Sequence, residues 1–451
     1  MLAYFFILNI TYFLLTILAF FVINEYMKRT KILDYRDIFA SGIYKPISII
    51  MPAYNEEVTV VDSFDAILRL HYPEFEVLVV NDGSKDNTVE VMKERYNLVK
   101  IDLDKDYLRE HPEIESIWIS RVDKVTLVNK PNGGKASALN VGIHVSRYPL
   151  VCAIDCDSIL DRDALLRIAR PFFEDAHVVA AGGTVRVANN CRIEFGQVKK
   201  VRFPNNIWAG FQVVEYLRAF LMGRMGWEGL NSLFIISGAF GLFDKRVIKE
   251  VGGYNEHTVG EDMELIVRMH RYLTEKKRDY RITFVPDPIC WTEAPTLYKS
   301  LRGQRNRWQR GVMETLWQHR KIMLNPRYGV HGLITFPYFV LFEMLGPVIE
   351  MAGYILALAS WALGIVNFSF MVAFFGLAFL LSSLLSFSAI VLEEISFKKY
   401  ASLGDIIKLG IFSILESFFY RPLTVIWRLQ GIRDYFLQKK GWGEMKRKGL
   451  G

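Results

Sequence analysis

Leu150-Val151-Cys152-Ala153-Ile154-Asp155-Cys156-Asp157 sets two carboxylates directly behind five apolar residues. An apolar run this short suits a strand buried on both faces. Similar runs occur at 47–51, 77–80, 125–128 and 178–181, separated by amphipathic stretches such as 58–70 and 86–96. Short buried runs alternating with helices predict a parallel α/β sheet from about residue 46 to 187. No internal repeat or low-complexity linker interrupts it. In such sheets ligands bind beyond the carboxyl ends of the strands. Behind the first run stands Pro52-Ala53-Tyr54-Asn55-Glu56, and behind the second Asn81-Asp82-Gly83-Ser84. Any one of these tails could be a plain turn; together with Asp155 and Asp157 they describe one polar crevice.

Two carboxylates two residues apart suit a divalent cation held mostly by water and substrate phosphate. Asn132-Gly133-Gly134-Lys135 supplies small residues and an ammonium just before a helical stretch, a setting where phosphate can dock. It is not a P-loop, because Asn129 stands where that motif needs its first Gly and Ala136 follows the Lys. Gly260-Glu261-Asp262 opens a helical stretch at 263–271, where an acidic residue serves either as a cap or as a reactive carboxylate. Gln304-Arg305-Asn306-Arg307-Trp308 lies in a basic, aromatic stretch. Gln304 and Trp308 are one helical turn apart. That stretch reads as an interfacial helix or as a sugar-stacking indole with hydrogen-bonding neighbours.

The chain has 451 residues, 51% of them hydrophobic and 14% aromatic. Its mean hydropathy is +0.17. This excludes a disordered chain, a small disulfide scaffold and an ordinary cytosolic enzyme. Residues 2–23 carry no charge and are long enough to span a bilayer. The basic residues Lys28, Arg29 and Lys31 follow this run, which predicts an anchor at 1–25 with the next domain in the cytoplasm, not a cleaved leader. No Lys or Arg occurs among the 70 residues between Arg327 and Lys398. A C-terminal transmembrane region of about three to four helices is therefore expected at 328–430, preceded by interfacial amphipathic helices at 296–327 and followed by a basic cytoplasmic tail at 431–451. Glu343 and Glu350 fall on one face of the first of these helices, where a carboxylate faces a polar cavity or a partner helix. The net charge of +7 is concentrated in two segments. Residues 302–327 hold seven basic residues and one acidic, and residues 421–451 hold eight and two. Beside apolar segments such strips face anionic headgroups, and no nucleic-acid-binding motif accompanies them. The four cysteines show neither metal spacing nor a disulfide pattern and read as buried, reduced thiols.

In order, Asp82, Asp155-x-Asp157, Glu261-Asp262 and Gln304-x-x-Arg307-Trp308 resemble the processive, membrane-integrated family 2 glycosyltransferases, the group of cellulose, hyaluronan, chitin and poly-N-acetylglucosamine synthases. The resemblance runs from about residue 47 to 311. It implies a GT-A-type (Rossmann-like) α/β domain at 45–295 between transmembrane helices of the cell (inner) membrane. The implied reaction is inverting transfer from a UDP-sugar donor with Mg2+ or Mn2+. Ala53, Tyr54, Glu56 and Asp82 would surround the uridine, with Asp155 at the ribose or sugar, Asp157 on the metal and Lys135 near the diphosphate or donor sugar. Asp262 would be the general base, and Gln304, Arg307 and Trp308 would hold the acceptor end and the diphosphate. Ser237-Gly238-Ala239-Phe240-Gly241 would form the acceptor side. The partners implied are the donor, the growing polysaccharide or a lipid-linked acceptor, and the bilayer, with room for an accessory export subunit and no role for nucleic acid. Similarity of residues 130–140 to the poly-N-acetylglucosamine branch favours UDP-N-acetylglucosamine. Two other readings stand beside this one: single transfer to a polyprenyl-phosphate or other lipid acceptor, and a non-catalytic, sugar-responsive membrane scaffold.

Overall fold

The computed structural model describes residues 2–32, 42, 44–104, 106, 111–122, 124–194, 196–400 and 402–439. It forms two units. Among the described residues, one is built from those within 29–200 and 233–293, the other from those within 2–28, 201–232 and 294–439. The expected basic tail lies outside the described residues from position 440 onward.

The first unit is built on strands β1 (Ile47–Ala53), β2 (Phe75–Asp82), β3 (Val99–Lys100), β4 (Ser116–Ile119), β5 (Val125–Lys130), β6 (Leu150–Ile154), β7 (Ile159–Leu160), β8 (Val178–Val187), β11 (Phe240–Asp244) and β12 (Arg281–Thr292). These ten form one sheet in the order β3-β4-β5-β2-β1-β6-β11-β8-β12-β7, while β9 (Arg192–Glu194) and β10 (Gln197–Lys200) pair separately. The centre, β5-β2-β1-β6, is parallel as expected. Every residue of β2 and β6 is buried, which is why these strands read as unbroken apolar runs. The five expected runs are all parallel to one another, β8 included, but the sheet as a whole is mixed because strands from segments outside those runs join it. β11 runs antiparallel between β6 and β8, and β4 runs antiparallel between β5 and the edge strand β3. An apolar run carries no mark of its direction, because burial on both faces looks the same either way. The register pairs Ala53 with Asn81 and Asp82 with Lys130, so the carboxyl ends of β1, β2 and β5 are level.

The second unit is helical. Ala3–Thr30, Phe368–Ser396 and Leu403–Phe436 are each long and apolar enough to cross a membrane, and His331–Met344 with Gly346–Ala362 makes a fourth if that pair, bent by 49°, is one span. The bend has a local cause. Pro347 lacks an N–H, which leaves the Glu343 carbonyl without its helical donor. Gln309 Nε2 donates to the carbonyls of Glu343 (3.4 Å) and Met344 (3.0 Å), and Arg428 also donates to Glu343 O. Glu350 pairs with Arg421 at 3.0 Å and Glu343 with Arg428 at 3.1 Å. Both carboxylates therefore serve helix-to-helix contacts, seven residues apart on each partner. Arg218 and Glu416 form a third pair at 2.8 Å, and Ser386 donates to the same carboxylate. Pairing of this kind is what makes ionised side chains tolerable among apolar helices. A helix at Tyr298–Gln318 runs along the last helix through Arg302 to Gln430 (2.7 Å) and Asn306 to Asp434 (3.0 Å).

Candidate functional site

The loops behind β1 and β2 are stitched together before any ligand is considered. Asn55 N donates to Ser84 Oγ at 3.0 Å, Glu56 N to Thr88 Oγ1 at 2.9 Å, and Lys85 N to Asn55 Oδ1 at 2.8 Å. Ala53 is buried and Tyr54 is exposed, so the chain passes within two residues from the sheet core to the open crevice. Gly83 sits at φ +67°, and a Cβ there would come 2.7 Å from the backbone nitrogen of Asn132. That close approach brings the β2 loop against the Gly-rich loop behind β5.

Asp82 is buried and organises that second loop. It pairs with the buried Lys130 ammonium at 2.6 Å. Its two oxygens also accept the backbone N–H of Gly133 (2.9 Å) and of Gly134 (2.8 Å), and Asn132 Nδ2 donates to the Asp82 carbonyl at 2.9 Å. The carboxylate thus pulls the Asn132-Gly133-Gly134 turn onto the end of β2, with Gly134 at φ +90° leading into the helix Lys135–Val145.

Lys135 is the electrostatic hub. Its ammonium forms an ion pair with Asp155 and donates to the Gly238 carbonyl at 3.3 Å. Burial draws its pKa down, but Asp155, Glu261 and Asp262 together outweigh burial and hold it above its ordinary value. The ammonium is therefore charged throughout the neutral range. Gly238 N donates to Asp262 Oδ2 at 3.4 Å, and Met263 N to Asp262 Oδ1 at 2.8 Å. Asp262 lies in the first turn of the helix Glu261–Glu275 with Glu261 and Glu264, where the helix dipole favours negative charge. Beneath lies Tyr254, whose phenol burial pushes well above its usual value, with Glu261 and Asp262 adding to the effect. The turn carrying Tyr254 is clamped from both sides. Asn140 bonds the N–H (2.7 Å) and carbonyl (2.9 Å) of Tyr254, and Arg268 donates to Gly253 O at 2.6 Å while pairing with Glu264 at 2.8 Å.

Asp157 stands half-buried two residues beyond Asp155. Cys290 lies near both: burial pushes its thiol well up, and Asp155 and Asp157 add to the rise. Among the described residues no group of three or more His, Cys, Asp or Glu is arranged to hold a metal ion. Asp155 and Asp157 are hard oxygen donors, the chemistry a cation such as Mg2+ or Mn2+ prefers when substrate phosphate and water supply most of its shell. All four cysteines are free; Cys152, Cys156 and Cys290 are buried, but Cys191 is only partly so, a correction to the expectation for that residue.

The first unit therefore brings together Lys135, Asp155 and Asp262, beside the level ends of β1 and β2 with Ala53, Tyr54, Glu56 and Asp82. Gln304, Arg307 and Trp308 belong to the helical unit, where Trp308 is exposed and the other two are half-buried. Sequence reasoning missed Lys130 and Tyr254 as members of the site. Lys130 had a signal, being a charge at the end of an apolar strand just before the Gly-rich turn. Tyr254 had none, since only the fold carries it under Glu261 and Asp262.

Residues 48–252 match the family model described as glycosyl transferase family 2. The chain is 29% identical over 273 residues to a poly-β-1,6-N-acetyl-D-glucosamine synthase of Staphylococcus epidermidis, covering 60% of this chain and 55% of that protein. It is 27% identical over 303 residues to the synthase of the same name from Staphylococcus aureus, covering 66% and 61%. The matches thus span less than two thirds of those relatives' own lengths. A solved mannosyltransferase from Pyrobaculum calidifontis, in complex with GDP-mannose and Mn2+, superimposes with a TM-score of 0.51 at 16% identity, covering 96% of this chain and all of that one. That likeness bears on the fold, a GT-A-like mixed α/β domain flanked by apolar helices.

Proposed function

We propose that this chain, whose residues 48–252 match the glycosyl transferase family 2 model, polymerises sugar from a UDP-sugar donor, UDP-N-acetylglucosamine being favoured, with its catalytic domain in the cytoplasm and its helices carrying the product across the membrane. The observation that carries this reading is the Lys135 ammonium held among Asp155, Glu261 and Asp262 at the carboxyl ends of the strands. A fixed positive charge there meets a diphosphate, and a carboxylate one contact further on meets an acceptor hydroxyl.

In the displacement, Asp262 takes the proton as the acceptor oxygen bonds to the anomeric carbon. The bond from that carbon to the β-phosphate oxygen breaks, and its electron pair leaves with UDP. Lys135 offsets the charge developing on the departing diphosphate. A divalent cation on Asp157 would add Lewis-acid stabilisation of the same diphosphate. Ala53, Tyr54 and Glu56 line the nucleoside side, and Asp82 shapes it through the loop it holds. Asp155 fixes Lys135 and faces the ribose or sugar. Gln304, Arg307 and Trp308 receive the acceptor end, which favours chain growth over single transfer.

The test is UDP release by the purified protein in nanodiscs, across a panel of UDP-sugars, with Mg2+ or Mn2+ and with EDTA. One donor supporting release, EDTA abolishing it and a lengthening product are expected. Release with a polyprenyl-phosphate acceptor and a single-sugar product would replace polymerisation by single transfer. No release under either condition would favour a non-catalytic scaffold.

Gly238 offers a second test of the Lys135 site. A Cβ at this position would stand 2.9 Å from Lys135 Nζ. The atom it meets is the end of a flexible side chain held by Asp155 and the Gly238 carbonyl, so Gly238→Ala should still fold, at a cost of about 1 kcal/mol. The displaced ammonium should lower kcat by roughly tenfold to a hundredfold. Thermal unfolding beside UDP-release kinetics checks both, and unchanged kcat would remove Lys135 from the diphosphate.

A further inference from the structure

Arg305 occupies one of the two positions between Gln304 and Arg307 that the motif leaves unspecified, yet its side chain is 3% exposed. Its Nη1 donates to Gln304 Oε1 at 2.7 Å. Its guanidinium carbon lies 4.0 Å from the centre of the Trp308 ring, within the range of a cation–π contact. The other side of the guanidinium is anchored. It pairs with Glu215 and donates to Tyr420 Oη at 3.1 Å, and Tyr420 in turn donates to Glu215 at 2.9 Å. Tyr420 stacks on Phe211, with ring centres 5.1 Å apart and planes 14° from parallel, in a buried cluster with Leu301 and Trp427. One planar cation thus connects a packed aromatic core to two motif side chains.

We propose that Arg305 is the positioning residue of the acceptor site: it presets the Trp308 indole and turns the Gln304 amide so that its NH2 group faces the acceptor. The orientation follows from donor chemistry. A guanidinium has only N–H donors, so the Gln304 atom it meets is the oxygen, and Nε2 is directed away from it. Gln304 therefore offers hydrogen to its ligand, and the group it selects is an oxygen with a free lone pair, such as a sugar hydroxyl or ring oxygen. Trp308, 42% exposed, keeps surface available for a sugar while Arg305 fixes the ring. Lys could not substitute, because a point charge cannot reach Gln304, Tyr420 and Glu215 while lying flat on an indole.

This inference rests on the glycosyltransferase reading, and the experiment separates the two. Steady-state kinetics would be measured on the full chain in nanodiscs with a β-linked N-acetylglucosamine pentasaccharide as acceptor, together with thermal unfolding. Arg305→Lys keeps a charge for Glu215 and should fold. It should raise KM for the pentasaccharide about tenfold, the equivalent of one lost hydrogen bond, and leave KM for the donor unchanged. Gln304→Glu is the sharper probe, since a carboxylate pairs with Arg305 at least as well as the amide. That variant should unfold at or above the wild-type temperature yet show the same acceptor defect, because it has lost its donor. A wild-type pentasaccharide KM in either variant overturns the inference while the enzyme reading stands. No UDP release by the unmodified protein from any donor overturns both.

Discussion

Asp262→Asn is expected to fold normally and to lose roughly 10²–10⁴ in kcat, the range for removing a positioned general base. The fold should survive because Asn still presents an oxygen to the Met263 N–H, now received by Asp262 Oδ1 at 2.8 Å. The contact from Gly238 N is long, at 3.4 Å, and its loss costs little. What Asn cannot do is accept the acceptor's proton. The substitution also removes one of the three carboxylates that hold the Lys135 ammonium above its ordinary pKa, so that pKa should move down. UDP release at saturating donor and acceptor, set beside an unfolding curve, gives the answer. Wild-type kcat in the folded variant would move the base to another carboxylate, with Glu261 the first to try.

Asp82→Asn should act on stability first. The Asp82–Lys130 pair is buried on both sides, at 5% and 2% side-chain exposure. Removing one partner leaves an uncompensated ammonium in the interior, which costs about 3–5 kcal/mol. The neutral amide also weakens the acceptor for Gly133 N and Gly134 N, so the Gly-rich turn should loosen and KM for the donor should rise. Adding Lys130→Met removes the stranded charge. The double variant is expected to regain most of the lost stability without regaining donor KM, since the turn still lacks its carboxylate. Thermal unfolding of the two single variants and the double variant, with donor KM for each, tests this. A donor KM that returns together with stability would mean that Asp82 matters only for folding.

Much of the candidate site is legible in the sequence. Apolar runs ending in Asp, Asn or Gly mark strand ends, and Asp155, Asp157, Asp82 and the Asn132–Lys135 turn all lie where those runs stop. The predicted run at 150–154 and the observed β6 coincide, whereas 178–181 proved to be the start of a ten-residue strand. Polar Thr184 and Arg186 broke the apolar pattern there although both are buried. Arg305 was hidden for a related reason: a charge in a basic stretch reads as solvated until Glu215 and Tyr420, far away in the chain, are brought to it.

The sequence by itself determined the five parallel strands at the centre of the fold, the long apolar helices and the polar residues at the strand ends, because each depends on a few adjacent residues and on their exchange of water for an apolar surrounding. The tertiary structure decided which groups meet. It placed β11 antiparallel beside β6, joined Lys130 to Asp82 across 48 residues, set Lys135 among three carboxylates, and matched Glu343 and Glu350 to Arg428 and Arg421. An ion pair or a strand direction depends on two segments arriving at the same place, and the residues of either segment alone carry no record of the other.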